Sequence, residues 1–186
     1  MKIYTRKGDS GETGIWGGVR LGKDDLRIEA IGAVDECNAA VGVALAQGLP
    51  ERLVPLMQQV QTGLYIVGSE LMAPDRAGPG GSLPRINDDD AARLEQAIDE
   101  LELELPALRN FIVSGGTLAA AHVHLARTVC RRAERQVTRL ARPGDPVSGA
   151  VRAYLNRLSD FLFVAARYVN HTAGTGDIVL SGNQVR

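Results

Sequence analysis

Cysteine is close to absent, with Cys37 and Cys130 the two in the chain. Both fall inside helix-like patterns, so the sequence suggests neither a disulfide framework nor a CxxC metal site. An excess of charge of one sign is also lacking. The formal net charge is −1, which argues against general electrostatic attraction to nucleic acid or an anionic membrane. No apolar run approaches the ~18 residues needed to span a bilayer. No apolar stretch follows the charges of MKIYTRKGD, as a signal peptide would require. Convincing strand patterns, a Ser-His-Asp order and an HExxH motif are missing too. These absences leave a cytoplasmic soluble protein as the expectation. A length of 186 residues fits a single domain with a real core.

What is present beyond residue 25 reads as helix almost throughout. Ile31, Val34, Val41 and Leu45 mark one face of a first helix that Gly48 and Pro50 end. A second runs from about Glu51 to Met72, with Leu53, Leu56, Val60, Leu64, Val67 and Leu71 on its seam. A Pro/Gly-rich stretch follows, and Asn87 or Asp88 is placed to cap a third helix, Asp88 to Glu104. Its eight acids against one arginine predict a solvated outer face. Phe111 to Gly116, FIVSGG, is a short apolar piece ending in a glycine turn. A fourth helix is expected from about Thr117 to Ala141. A fifth is expected from about Ser148 to Asn170, its seam Val151, Leu155, Leu158, Leu162, Ala165 and Val169 stepping alternately by four and three. The fold class is therefore all-α, a five-helix bundle in an up-down arrangement.

The fourth helix is expected to pack through Leu118, His122, Leu125, Val129, Ala133 and Val137, with Arg127, Arg131, Glu134 and Arg135 nearly opposite. Residues 127, 131, 132, 135, 139 and 142 are arginines, a density that i,i+4 pairing within one helix cannot neutralise. A solvated basic face is the bland reading. A rigid row of guanidinium groups for a polyanion is the sharper one, since arginine binds phosphate bidentately and keeps its charge. On the fifth helix Asn156, Asp160, Phe163 and Arg167 form a stripe away from the seam, where phenylalanine beside polar groups suggests a second buried face between subunits. Asp35, on the flank of the first helix, is a candidate partner for one of the arginines. His122 and His124 lie two apart and cannot chelate one metal in the usual i,i+4 way; His122 is read as a core or interface residue. Arginine neighbours could lower the pKa of Cys130, but with no base in evidence it is read as structural.

The stretch YTRKGDSGETGIWGGVRLGKDD, Tyr4 to Asp25, is rich in glycine and cation. Gly17 to Lys23 satisfies GxxxxGK, yet Asp24 stands where a Walker loop has Ser or Thr, and no strand precedes it. As a Walker loop the match is accidental. As another kind of phosphate cradle the stretch remains open, against the bland alternative of a disordered terminus. Gly8, Gly11 and Gly14 permit close backbone approach to an anion, and Thr5, Arg6, Lys7, Thr13 and Lys23 add donors and positive charge.

YTRKGDSGETG, KDDLRIEAIGAVDECNAAVG, HLARTVCRRAERQV and YLNRLSDFLFVAARYVNH resemble, in order, the signature blocks of the PduO-type ATP:cob(I)alamin adenosyltransferases. The resemblance runs from Ile3 to about His171. It implies a homotrimer of ferritin-like five-helix bundles with active sites between subunits. The implied reaction moves the 5′-deoxyadenosyl group of ATP, accompanied by Mg2+, to the cobalt of cob(I)alamin, giving adenosylcobalamin and triphosphate. Residues 1–24 would be the ATP-binding N-terminal loop, 25–171 the bundle and 172–186 a tail. Thr5, Arg6, Lys7, Gly8, Thr13, Gly14 and Lys23 would line one part of the ATP site; Arg131, Arg132, Glu134, Arg135 and Asn156 would complete it. Asp35 and Arg127 match a pair that bridges subunits, and Phe111 matches the aromatic that crowds the lower face of the corrin. The resemblance assigns no residue as a metal ligand. A flavin-dependent reductase and an adenosylcobalamin-dependent mutase are the implied partners.

Departures from the pattern are Lys7 for threonine, Cys37 for leucine, a tail without tryptophan, and Ser114 for a turn proline, which is expected to loosen the segment after Phe111. The alternatives to an enzyme are a non-catalytic ATP- or corrinoid-binding bundle, acting as sensor or cofactor chaperone, and a scaffold whose basic face docks an acidic partner. The cation set with Asn156 argues for catalysis, because a scaffold needs charge and not this geometry.

Overall fold

The computed structural model describes residues 2–73, 83–141 and 147–180. Within them the chain forms a short antiparallel hairpin, β1 (Glu12–Gly14) and β2 (Arg20–Gly22), followed by α1 (Leu26–Ala46), α2 (Leu53–Met72), α3 (Asp88–Glu102), α4 (Leu118–Leu140) and α5 (Gly149–Thr172). The expected bundle is present. The hairpin is a correction to the expectation of no strands. Its register pairs Glu12 with Gly22, Thr13 with Leu21 and Gly14 with Arg20, and Trp16–Gly18 turn between the strands as a single 3-10 turn. The two strands carry few apolar residues at alternating positions, so a period of two has nothing to show.

The helix starts are written in capping residues. Asp25 accepts from the Arg27 N–H, Thr117 from Ala120 and Ser148 from Val151. Asn87 heads a capping box closed by Asp90, each device satisfying amide groups that the first helical turn leaves open. Helix α1 packs on α2 and α4, and α5 packs on α4 and α3. Helix α5 is the axis of the bundle: all six residues of its expected seam are buried, and Tyr154, Phe161, Val164, Ala166 and Tyr168 join them. Close approach of α2 to α5 requires glycine at 63, since a Cβ there would lie 2.1 Å from the Tyr154 hydroxyl oxygen. The acids of α3 are mostly exposed as expected. Glu95 pairs with Arg157, and Glu100 and Glu104 with Arg52, across helix boundaries.

Helix α4 packs through the expected Ala133 and Val137 in its second half, but in its first half the buried face is rotated from the expected Leu118, His122 and Leu125. Ala120, Val123, Ala126, Cys130, Ala133, Val137 and Leu140 are buried, whereas Leu118 is 67% and Leu125 53% exposed. His124, not His122, is the core histidine. The small residues of the true face let α4 approach α1 and α5 closely, and alanine is a weak signal in any pattern of large apolar residues. Arg167 is a second correction. It is 3% exposed and buried within the subunit, so the expected outer stripe of α5 stops at Phe163.

Candidate active site

Helices α4 and α5 present one connected polar face. Arg131 Nη1 donates to Ser159 Oγ at 3.4 Å, and Ser159 Oγ donates to the Asn156 carbonyl oxygen at 3.0 Å. Asn156 Nδ2 in turn donates to Glu134 Oε1 at 3.0 Å. Arg131 and Asn156 are exposed and Glu134 half-buried, so the face opens outward from a buried seam. Arg135 lies one residue beyond Glu134, exposed, with no hydrogen bond or ion pair to any described residue. Arg131, Glu134 and Asn156 are thus brought together as expected. Ser159, which joins Arg131 to Asn156, was not anticipated, because a buried serine inside an apolar seam carries no pattern of its own.

Arg132 points elsewhere and forms an ion pair with Glu36 of α1. Within one chain it is Glu36 that meets an arginine of α4, while its neighbour Asp35 is exposed and makes no ion pair with a described residue. Arg127 is half-buried. Its Nη2 donates to Ser114 Oγ at 3.1 Å, and its guanidinium carbon lies 5.9 Å from the Phe163 ring centroid. Burial first, and then the charge of Arg131, press the Arg127 guanidinium down from its ordinary value. Arg142 lies outside the described residues.

Phe111 stands 86% exposed at the start of a short strand-like segment. The segment is held by backbone pairing to the tail. Ile112 bridges antiparallel to Val179. Val113 N–H donates to Ile178 O at 2.8 Å, and Leu180 N–H to Phe111 O at 2.9 Å. The turn that follows places Gly116 at φ +100, with its absent Cβ only 2.2 Å from Asn170 Oδ1, so no side chain fits there.

The N-terminal donors form a unit of their own. Lys23 N–H donates to Gly11 O at 2.8 Å, and the Lys23 ammonium lies 3.4 Å from where a Cβ on Gly8 would be. Arg20 Nη2 donates to Lys7 O at 2.8 Å and its Nε to Glu12 at 3.1 Å. Arg6 sits at φ 60, a left-handed conformation that L side chains rarely adopt. Thr5, Arg6, Lys7, Thr13, Gly14 and Lys23 therefore share the hairpin and its leader, and Gly17 belongs to the turn between two strands rather than to a strand-loop-helix. The hairpin makes no substantial packing contact with any helix. Among the described residues no hydrogen bond or ion pair links these N-terminal cations to Arg131, Glu134, Arg135 or Asn156.

Both thiols are buried. Hydrogen bonding to Cys37, followed by burial, pushes the Cys130 thiol well above its ordinary value and outweighs the opposing charge of Arg131.

Almost the whole chain, residues 3–169, matches the model of the cobalamin adenosyltransferase family. The chain belongs to that family. Among its relatives, a cobalamin adenosyltransferase of Cupriavidus metallidurans is 42% identical over 179 residues, covering 96% of this chain and 93% of that one. A corrinoid adenosyltransferase of Bacillus subtilis is 40% identical over 183 residues, covering 96% and 91%. A variant of the PduO-type ATP:corrinoid adenosyltransferase from Lactobacillus reuteri, solved with cobalamin and ATP, superposes with a TM-score of 0.89. It is 35% identical, and 97% of each chain is covered. The fold of this adenosyltransferase family member is accordingly that of the PduO-type structures. No helix among the described residues is long and apolar enough to cross a membrane.

Proposed function

We propose that this chain transfers the 5′-deoxyadenosyl group of ATP to the cobalt of cob(I)alamin. The cobalt–C5′ bond forms, the bond from C5′ to the triphosphate oxygen breaks, and inorganic triphosphate leaves. The observation that carries this reading is the outward polar face of Arg131, Glu134 and Asn156, in a chain that matches the family over nearly its full length.

Cob(I)alamin is a strong nucleophile, so no general base is required of the protein. Alignment of cobalt with C5′ and stabilisation of charge on the leaving triphosphate are required. Arg131, oriented by Ser159, and Arg135 serve as cations for that charge, with Asn156 oriented by Glu134. Lys23, Arg6, Lys7, Thr5 and Thr13, with the backbone of Gly8 and Gly14, supply the facing half. Arg132, engaged with Glu36, holds α4 to α1 behind the site. No group of three or more His, Cys, Asp or Glu among the described residues could cage a metal ion. Magnesium would arrive with the ATP, held largely by phosphate oxygens and water, which asks for no dedicated cage of protein ligands. Phe111, apolar and exposed, is suited to the face of the corrin where an axial base would bind. It would there favour four-coordinate cobalt, which is easier to reduce.

The separation of hairpin and arginine face within one chain supports a site completed by a second copy. The exposed Leu118 and Leu125 on α4, flanked by half-buried His122 and Val129, are suited to such an interface, with Asp35 and Arg127 pairing across it in a homotrimer. A flavin-dependent reductase as electron source and an adenosylcobalamin-dependent mutase as recipient fit the same chemistry, in the cytoplasm.

The test is anaerobic. Protein, ATP, magnesium and chemically reduced cobalamin are mixed and the corrin spectrum is followed. A light-sensitive alkylcobalamin and stoichiometric triphosphate are expected; their absence would leave the non-catalytic binding module as the reading.

A further inference from the structure

Buried charge is expensive, and α5 carries one at the end of the bundle. Arg167 is 3% exposed in a helix whose neighbouring positions are apolar. An apolar residue of similar volume would serve stability as well or better. Geometry is what the guanidinium adds. Its Nη2 donates to Pro106 O at 2.7 Å, and its Nε donates to Asp177 Oδ2 at 2.8 Å. Neither partner belongs to a helix: Pro106 leads into the segment that carries Phe111, and Asp177 opens the short strand that pairs with it. Asn170, 2% exposed and one turn along α5, repeats the pattern. Its side chain accepts from Thr117 N–H and donates to Gly115 O, each at 2.9 Å. Its backbone oxygen accepts from Thr175 and Gly176, at 3.0 and 3.2 Å.

We infer that Arg167 and Asp177 are positioning residues whose buried ion pair sets where Phe111 stands. The pair ties the tail and the 106–117 segment to one rigid helix. The two-stranded bridge between 111–113 and 178–180 then carries that placement to Phe111. Phe111 is exposed and packs on little of its own subunit, so its position is inherited from this backbone frame. A rigid element supporting the working group through a second layer of hydrogen bonds is how a site keeps its geometry. The inference rests on the role of Phe111 in the proposed reaction.

The test is Asp177→Asn, which keeps size and lies outside the helices, compared with Phe111→Ala. In the purified full chain, amide hydrogen exchange at Val113 and Leu180 is expected to speed up about tenfold or more, with α1 unchanged. With ATP and cob(II)alamin bound, the four-coordinate cobalt signal in electron paramagnetic resonance is expected to shrink. Adenosylation starting from cob(II)alamin and a reductant should fall about tenfold further than adenosylation starting from cob(I)alamin. Unchanged exchange at both amides would overturn the clamp. Faster exchange with the cobalt signal intact, in a protein where Phe111→Ala does lose it, would overturn the positioning role. Equal losses from both cobalt states in Phe111→Ala would instead overturn the role of Phe111, and the two amides would still decide the clamp by themselves.

Discussion

Helices α4 and α5 are similar in length and pack against each other, yet they use their apolar residues differently. Helix α5 spends its large side chains inside one subunit, with Leu155, Leu158, Phe161 and Leu162 fully buried. Helix α4 buries mainly alanine and valine and turns Leu118 and Leu125 outward. A large apolar residue in a pattern therefore reports burial without saying against what. On α5 it marks the subunit core; on α4 it marks a surface that the proposed assembly would cover.

That contrast can be broken by paired truncations. Leu155→Ala should destabilise the isolated subunit by about 2–5 kcal/mol, read in urea unfolding, because it opens a cavity in a close-packed core. Leu125→Asp should leave subunit unfolding nearly unchanged while shifting light scattering from trimer to monomer. A large loss of subunit stability in Leu125→Asp would place that residue in the core after all. On the polar side of the same helix, Arg131→Ala should lower turnover by about 10²–10³-fold, as removal of a preorganised donor does, with assembly intact. Near-normal turnover would remove Arg131 from the triphosphate site.

A smaller effect sharpens the comparison from within the α4 core. Burial, reinforced by the charge of Arg127, pushes the His124 imidazole down to about 4. Unfolded, it would titrate near 6.5, as an unperturbed histidine does. Between those values the unfolded chain binds the extra proton and the folded chain does not, so stability falls as pH drops from about 6.5 toward 4. In His124→Gln that component is gone. The melting temperature should then decline less between pH 7 and 4.5 than in the unaltered protein, and an identical decline would show that His124 titrates alike in the folded and unfolded chain.

Much of this was legible in the residues themselves. The caps Asn87, Thr117 and Ser148 and the alternating seam of α5 name their helices, because capping and periodicity are local properties. The blocks around Arg131 and Asn156 carry the family likeness. The seam of α4 was legible at Ala133 and Val137 and missed at Ala120, Val123 and Ala126, since alanine is as common on exposed helix faces as on buried ones. The same holds for Ser159, a small polar residue whose use depends on what the neighbouring helix brings within hydrogen-bond reach.

By itself, then, the sequence determined the all-α class, four of the five helix starts through their capping residues or punctuation, the cation set and the glycine-rich N-terminus. Tertiary structure alone decided that Arg132 meets Glu36 while Asp35 pairs with no described residue, and that Arg167 is buried against Asp177. It also decided that the tail folds back on the strand of Phe111. Arg132 with Glu36 and Ile112 with Val179 join residues far apart in sequence, and such partners are chosen by which elements meet. No local periodicity encodes that choice. A buried guanidinium and a surface one look alike until the chain has closed around them.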